Sequence, residues 1–387
     1  MLNKTITKSG TSGYTAPDAG AKNTLLRRLF LLLVLGFSQL TALPLAQAAT
    51  GVFPDSTFQN LDYGLYWFGY DDNWQKAVPG QSNAYFANNK PTVIYIHGWQ
   101  NGSTVLKNRE TFYRKDAGGP DLDLAHAWLA AGYNVGILYW NQFADEGEVK
   151  DAEAKIWTAT GPRAMRWRNS SGVYSSGPGK SAGDLLFDQY KANMASYTGS
   201  NIRILGHSLG NQMAIVLTKK ISDAVSAGTL SSRLLPKRVA LLDPFYSNYA
   251  KSWLSNRWVG EVCRTYVSEL KTKGVIFEAY RSSSVTNTVF VGDANNNLMK
   301  MTAFTELKPW YFNSAQQVEK HNSAVWHYLW SFSFNPPLIT GTTRQAASAS
   351  TSDSRISTLM NGTKKLVHDQ GAYTKEPSDD NFKEANR

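Results

Sequence analysis

Residues 201–210 read N-I-R-I-L-G-H-S-L-G. An apolar, β-type run stops at Gly206-x-Ser208-x-Gly210, and residues 211–220 that follow are helix-like. A strand, a sharp turn and a helix around one serine lift its hydroxyl out of a sheet edge. The turn is strained, and a Cβ at Gly206 or Gly210 is expected to strike the neighbouring strand or helix. The five-residue pattern is short enough to arise by chance, so its context has to carry the reading.

That context is an alternation. Short runs at 91–96, 133–140, 201–205, 238–242, 275–281 and 302–307 are β-branched or aromatic and apolar on both faces, as buried parallel strands are. Helix-like stretches lie between and after them, at 122–131, 182–195, 212–227, 250–272 and 323–334. The pattern predicts an α/β fold: a mostly parallel central sheet with helices on both faces. Residues 51–90 read as one or two aromatic-rich hairpins. Residues 141–181 form a long insertion ahead of the helix that leads to Ser208, and such a length of loop is usually functional or disordered.

The chain has 387 residues, 42% of them hydrophobic and 12% aromatic, enough for a sizeable core. Lys22, Arg27 and Arg28 precede an apolar run from Leu29, and Ala46-Gln47-Ala48 follows. This is the plan of a secretory signal, so 1–48 is expected to be removed and the mature chain secreted or periplasmic. The alternative is a membrane anchor at 29–46. Five Lys/Arg against one Asp give 1–48 a charge of +4, leaving +6 of the chain's +10. That excess is modest, and no basic cluster or nucleic-acid motif accompanies it, so nucleic-acid recognition is excluded. Cys263 is the only cysteine, which excludes an intrachain disulfide and cysteine-based zinc sites. Residues 49–340 are read as one catalytic domain. Residues 341–387, polar and rich in Ser, Thr and Ala, are read as a flexible tail.

A serine nucleophile needs a base, an acid to orient that base, and N–H groups for the oxyanion. Tyr95-Ile96-His97-Gly98-Trp99 ends a strand in His-Gly, and Gly98 allows close approach of a substrate carbonyl, so the N–H groups of Trp99 and Leu209 are the oxyanion candidates. Asp243, in Leu242-Asp243-Pro244, ends the strand after the Ser208 helix and is the first candidate acid. Pro244 is expected to hold Asp243 extended, and Asp293 is the reserve. Of six histidines, His97 and His207 flank the motifs and are expected to pack and hydrogen-bond, while His126 lies upstream. His321, expected in a loop before a helix, is the first candidate base. His327, among aromatics, and His368, in the tail, are the others. The chain order Ser208, Asp243, His321 differs from that of the trypsin-like and subtilisin-like proteases.

These residues resemble the lipase branch of the α/β-hydrolases, most of all the pancreatic-lipase-type enzymes. I-H-G-W (96–99), L-Y-W (138–140), I-L-G-H-S-L-G (204–210) and L-D-P (242–244) match that family's motifs in order. His321, followed by N-S-A-V-W-H-Y-L, is loosely similar to its catalytic-histidine segment. The resemblance implies the α/β-hydrolase fold, the triad Ser208, Asp243 and His321, and oxyanion donors Trp99 and Leu209. It implies cleavage of carboxylic esters, acyl lipids first, at a lipid–water interface. No cofactor, metal or obligatory protein partner is called for. A phospholipase A1, thioesterase or peptidase activity on the same site is an alternative, as is a non-catalytic lipid-binding protein on a hydrolase scaffold. The chain lacks the paired cysteines of that family's lid, and its tail is too short for the family's C-terminal β-sandwich. Lid candidates are the 141–181 insertion and an aromatic group of Phe245, Tyr246, Tyr249, Trp253 and Trp258. Asp293-Ala294-Asn295 opens like a calcium loop, but Leu298 and Phe304 stand where glycine and glutamate are needed, which rejects an EF-hand.

Overall fold

The computed structural model describes residues 50–115, 118–287 and 292–387. The 1–48 segment read as an export signal lies outside them. One sheet of eleven strands dominates the described residues. In chain order these are β1 (Gly64–Phe68), β2 (Trp74–Lys76), β3 (Thr92–Ile96), β4 (Asn134–Tyr139), β5 (Ile202–His207), β6 (Arg238–Leu242), β7 (Ile276–Arg281), β8 (Ala303–Glu306), β9 (Leu338–Ile339), β10 (Lys364–Gln370) and β11 (Asn381–Asn386). Their order across the sheet is β2-β1-β4-β3-β5-β6-β7-β8-β10-β11-β9. From β4 to β10 every neighbouring pair is parallel, while β1 runs antiparallel to β4 and to β2.

Strands β3 to β6 are buried along their whole length. This is why their sequences are apolar without alternation: helices cover both faces. The main helices are α1 (Val149–Trp157), α2 (Ala182–Asn193), α3 (Gly210–Ser226), α4 (Val259–Thr272), α5 (Gln317–Ser331) and α6 (Asp353–Asn361). Helices α1 to α4 pack on one another, and α5 and α6 pack on the β6–β8 region.

Two features of this sheet position the site. The chain runs outward from β3 to β4, then returns to start β5 on the other side of β3. The strand order thus reverses between β3 and β5, and open α/β sheets bind their ligands at the C-terminal edge of such a reversal. The register then aligns the C-terminal ends of these strands. Gly206 pairs with Ile96, and His207 pairs with Leu242. His97-Gly98, Ser208 and Asp243 thus leave the sheet at one edge, side by side.

Several expectations need correction. Residues 341–387 are not a loose tail. Ala346, Ala347, Ala349, Ile356, Leu366 and Phe382 are buried, and β10 and β11 extend the central sheet. The composition misleads because polar groups do the anchoring. The buried Arg238 donates to the carbonyls of Ser348 and Thr351 as well as to Glu278, and Arg203 donates to the carbonyl of Ala349. Leaving a buried charge without partners costs about 3–5 kcal/mol, so these carbonyls hold the segment in place.

The helix expected over 250–272 begins only at Val259. Ser255 and Asn256 adopt left-handed backbone at the tip of a hairpin that pairs Ala250–Lys251 with Arg257–Trp258. At 122–131 only His126–Ala130 is helical, because Leu122–Asp123 pairs with Tyr113–Arg114. The last large helix starts earlier than its apolar pattern, at Gln317, since Asn313 caps the preceding turn by accepting from the N–H groups of Ala315 and Gln316. His321 is consequently on a helix and not in a loop.

Candidate active site

Ser208 sits between β5 and α3 with φ +54°, in left-handed backbone that serine rarely adopts. Such a residue carries about 1–3 kcal/mol of strain. Three backbone hydrogen bonds hold it: its N–H donates to Leu242 O (3.1 Å), and its carbonyl accepts from Asn211 N (3.2 Å) and Phe245 N (3.3 Å). The flanking glycines are needed as the sequence implied. A Cβ on Gly206 would lie 2.7 Å from Asn211 Cα in the helix, and one on Gly210 would lie 2.7 Å from His97 O beside β3.

The loop after β3 closes on the same turn. A Cβ on Gly98 would approach Ser208 Cβ to 2.7 Å and Leu209 N to 3.3 Å. Among the described residues no carbonyl accepts from the N–H of Leu209 or Trp99. Both groups are therefore unspent donors on segments that touch at Ser208, as an oxyanion pocket requires. The Trp99 indole donates to Glu146 O (2.7 Å), anchoring its side chain.

This elbow at a topological switch point decides the architecture. The chain has the α/β-hydrolase fold. No family profile and no curated protein matches the sequence. Solved structures that match include the thioesterase domain of the curacin biosynthetic pathway (11% identity over 70% of this chain and 99% of that one, TM-score 0.33). Others are an IroE-like serine hydrolase from Shewanella oneidensis (11%, 69% and 80%, TM-score 0.31) and a lipase-esterase related protein from Clostridium acetobutylicum (8%, 62% and 85%, TM-score 0.29). Likenesses this distant decide nothing about activity. The chain's own sheet and elbow carry the fold.

Asp243 follows β6, one strand over from Ser208, and is fully buried. It is not extended, as Pro244 led us to expect, but left-handed at φ +41°. Its N–H donates to Tyr280 O (2.7 Å), and aspartate tolerates this region better than most residues. The turn aims the carboxylate across the sheet edge. Oδ2 meets His321 Nδ1 at 2.5 Å and also accepts from Ser283 Oγ, while Oδ1 accepts from the N–H groups of Ser282 (2.9 Å) and Ser283 (3.3 Å). Burial pushes this carboxyl up. The hydrogen bond and charge of His321, with the serine donors, outweigh burial and hold it below the usual carboxylate range. The ionised carboxylate only accepts, so His321 Nδ1 carries the hydrogen and Nε2 is left as the basic nitrogen.

His321 is held against the elbow through its neighbour. His207 Nε2 donates to His321 O (3.1 Å), and the two rings lie 4.4 Å apart. Burial, with the charge of His321 next, drives His207 down to about 3, so it stays neutral. His97 behaves similarly: burial lowers it to about 4, Nδ1 bonds Gly98 O (2.9 Å), and Nε2 accepts from Trp140 N (3.2 Å). Ser208 Oγ and His321 Nε2 make no hydrogen bond among the described residues. In enzymes without substrate, such contacts are often long until a complex forms.

The remaining candidates are accounted for elsewhere. His327 and His368 are engaged together by Asp380, and Asp293 accepts from Asn295 N (2.6 Å) at the surface. Phe245 and Tyr246 belong to the core, Trp253 and Trp258 are half-buried, and Tyr249 stands in solvent. The 141–181 insertion is tied by hydrogen bonds to the helix after Ser208 and to the loop after β3. Trp157 Nε1 donates to Gln212 Oε1 (2.8 Å), Gln212 Nε2 donates to the buried Glu153 (2.7 Å), and Asp145 accepts from Gly102 N (2.7 Å). Sequence reasoning missed these struts. It also missed Ser282 and Ser283, whose only signal was a run of three serines where β7 ends.

Proposed function

We propose that this protein is an exported serine hydrolase that cleaves carboxylic esters, with acyl lipids as its substrate class. One observation carries the reading: the 2.5 Å contact between Asp243 Oδ2 and His321 Nδ1 at the sheet edge that bears the strained Ser208 turn. In this scheme His321 Nε2 takes the hydroxyl proton as Ser208 Oγ attacks the ester carbonyl. Asp243 keeps the imidazole in its Nδ1–H tautomer and stabilises the cation. The N–H groups of Leu209 and Trp99 receive the oxyanion, where one such donor is worth about 3–4 kcal/mol of barrier. His321 returns the proton to the departing alcohol, then activates the water that releases the acid.

Lipid specificity is supported by large side chains left in solvent on loops from that edge: Tyr249, 74% exposed, after Asp243, Trp310, 46% exposed, after β8, and Tyr373, 74% exposed, after β10. Tyrosine and tryptophan suit a boundary that is apolar on one side and wet on the other. The acid one strand after the nucleophile supports the pancreatic-lipase-type kinship. Export rests on the charged-then-apolar segment before Ala48.

A fluorophosphonate probe and ester assays test the reading. Covalent labelling is expected at Ser208 and absent in Ser208→Ala, along with hydrolysis. Hydrolysis surviving in the purified Ser208→Ala protein refutes the enzyme assignment. Faster turnover of soluble short-chain esters than of emulsified triglyceride or phospholipid refutes the lipid assignment alone.

A further inference from the structure

Asp243 does not have its orientation set by its own strand. It lies beyond β6, in left-handed backbone, and its carboxylate is held entirely by groups from elsewhere in the chain. Those groups come from two elements: His321 on α5, and the Ser282-Ser283 pair at the end of β7. The serine pair reaches both partners of the contact. Ser283 Oγ and both serine N–H groups hold the Asp243 carboxylate, while Ser282 Oγ donates to Lys320 O (2.5 Å), the carbonyl just before His321.

The direction of the Ser283 hydroxyl follows from its neighbours. Its oxygen accepts from Val285 N (3.2 Å), and the ionised carboxylate has nothing to donate. The hydroxyl hydrogen therefore points at Asp243 Oδ2. Oδ2 takes one hydrogen from Ser283 and one from His321, and Oδ1 takes the two N–H groups. With both oxygens held, the carboxylate plane cannot rotate away from the imidazole. We propose that Ser283, supported by Ser282, is a positioning residue of this site: it fixes the Asp243 carboxylate so that Oδ2 stays aligned with His321 Nδ1.

The inference rests on the serine-hydrolase reading above and is tested with the purified chain on a p-nitrophenyl acyl ester. Ser283→Ala removes the hydroxyl and leaves both backbone donors. Its kcat is expected to fall about 10-fold, the worth of one hydrogen bond to a charged group, with KM unchanged. Ser283→Thr keeps the hydroxyl and is expected to restore kcat. Ser283→Cys keeps the volume with a weak donor and is expected to behave like alanine, which covers the case of an alanine variant that fails to fold. The downfield proton resonance of the His321 Nδ1–H is expected in the wild type and in Ser283→Thr, and is expected to broaden in Ser283→Ala as the imidazole loses its fixed acceptor. A kcat within twofold of wild type in the folded Ala or Cys variant, or equal loss in Ser283→Thr, overturns the inference. If Ser208→Ala abolishes hydrolysis while Ser283→Ala leaves it intact, only this inference fails. Hydrolysis that survives Ser208→Ala defeats both.

Discussion

Among the described residues two buried carboxylates hydrogen-bond imidazoles, and they differ in what they leave free. Asp243 holds one ring, His321, by Nδ1, and the far nitrogen is unoccupied among the described residues. Asp380 holds two, meeting His327 Nε2 at 2.7 Å and His368 Nε2 at 2.8 Å. His368 Nδ1 is taken by Lys308 N, and His327 Nδ1 is buried without a partner. Both couples are well bonded and nearly excluded from water. Only the first stands at the switch-point edge beside a strained serine turn. An imidazole–carboxylate couple is thus competent as a base where its free nitrogen stands beside the serine turn; at Asp380 the second nitrogens are bonded, in His368, or sealed in the interior, in His327, and the couple serves as a strut.

The sharpest break in this comparison comes from the open couple. His321→Ala and Ser208→Ala are each expected to lower kcat by about 10^5-fold or more, and the double variant by no more than either, because the groups act as one unit. His327→Ala and His368→Ala are expected to leave kcat per folded molecule unchanged. Steady-state kinetics on the four single variants and the double variant check this. Activity lost at His327 and retained at His321 would reverse the assignment of the two couples.

Asp243→Asn comes next. The amide can donate a hydrogen to Nδ1, which favours the wrong tautomer, so kcat is expected to fall about 10^4-fold with the fold intact. Gly98→Ala follows. Its methyl would press on Ser208 Cβ from 2.7 Å, and a displacement near 1 Å costs about 10^2-fold in rate. Circular dichroism and kcat on both variants separate chemistry from folding. A Gly98→Ala enzyme at full rate would mean that the two loops do not meet as described.

The fold was readable because its strands are buried on both faces and its elbow needs glycine at fixed positions. Those constraints act locally, within β3, β5 and β6, so the sequence carries them openly. The candidates Ser208, Asp243 and Gly98 stood out for the same reason, since each lies at the end of such a strand, whereas His321 was singled out as a loop residue and lies on α5. The tail was not readable. Its burial depends on carbonyl groups, which every residue has, meeting Arg203 and Arg238 more than 100 residues away in sequence. The left-handed Asp243 was hidden for a similar reason: the preference set by Pro244 is local, and the bonds from Tyr280, Ser282 and Ser283 that override it come from the neighbouring strand.

The smallest effect concerns the closed couple. Burial raises the Asp380 carboxyl, but the hydrogen bonds of His327 and His368, then their charges, outweigh it and bring it from the ordinary 3.8 to about 2. A carboxyl depressed on folding stabilises the native state above its unfolded pKa and loses that contribution as pH falls through the folded value. The loss therefore falls between about pH 4 and pH 2. The shift corresponds to about 2 kcal/mol. Asp380→Asn is expected to be less stable than wild type by about that amount near neutral pH, to approach it near pH 2, and to keep kcat per folded molecule. Urea denaturation at several pH values reads the gap. A gap independent of pH would assign the role of Asp380 to packing and would remove charge from the comparison between the two couples, leaving geometry alone to separate base from strut.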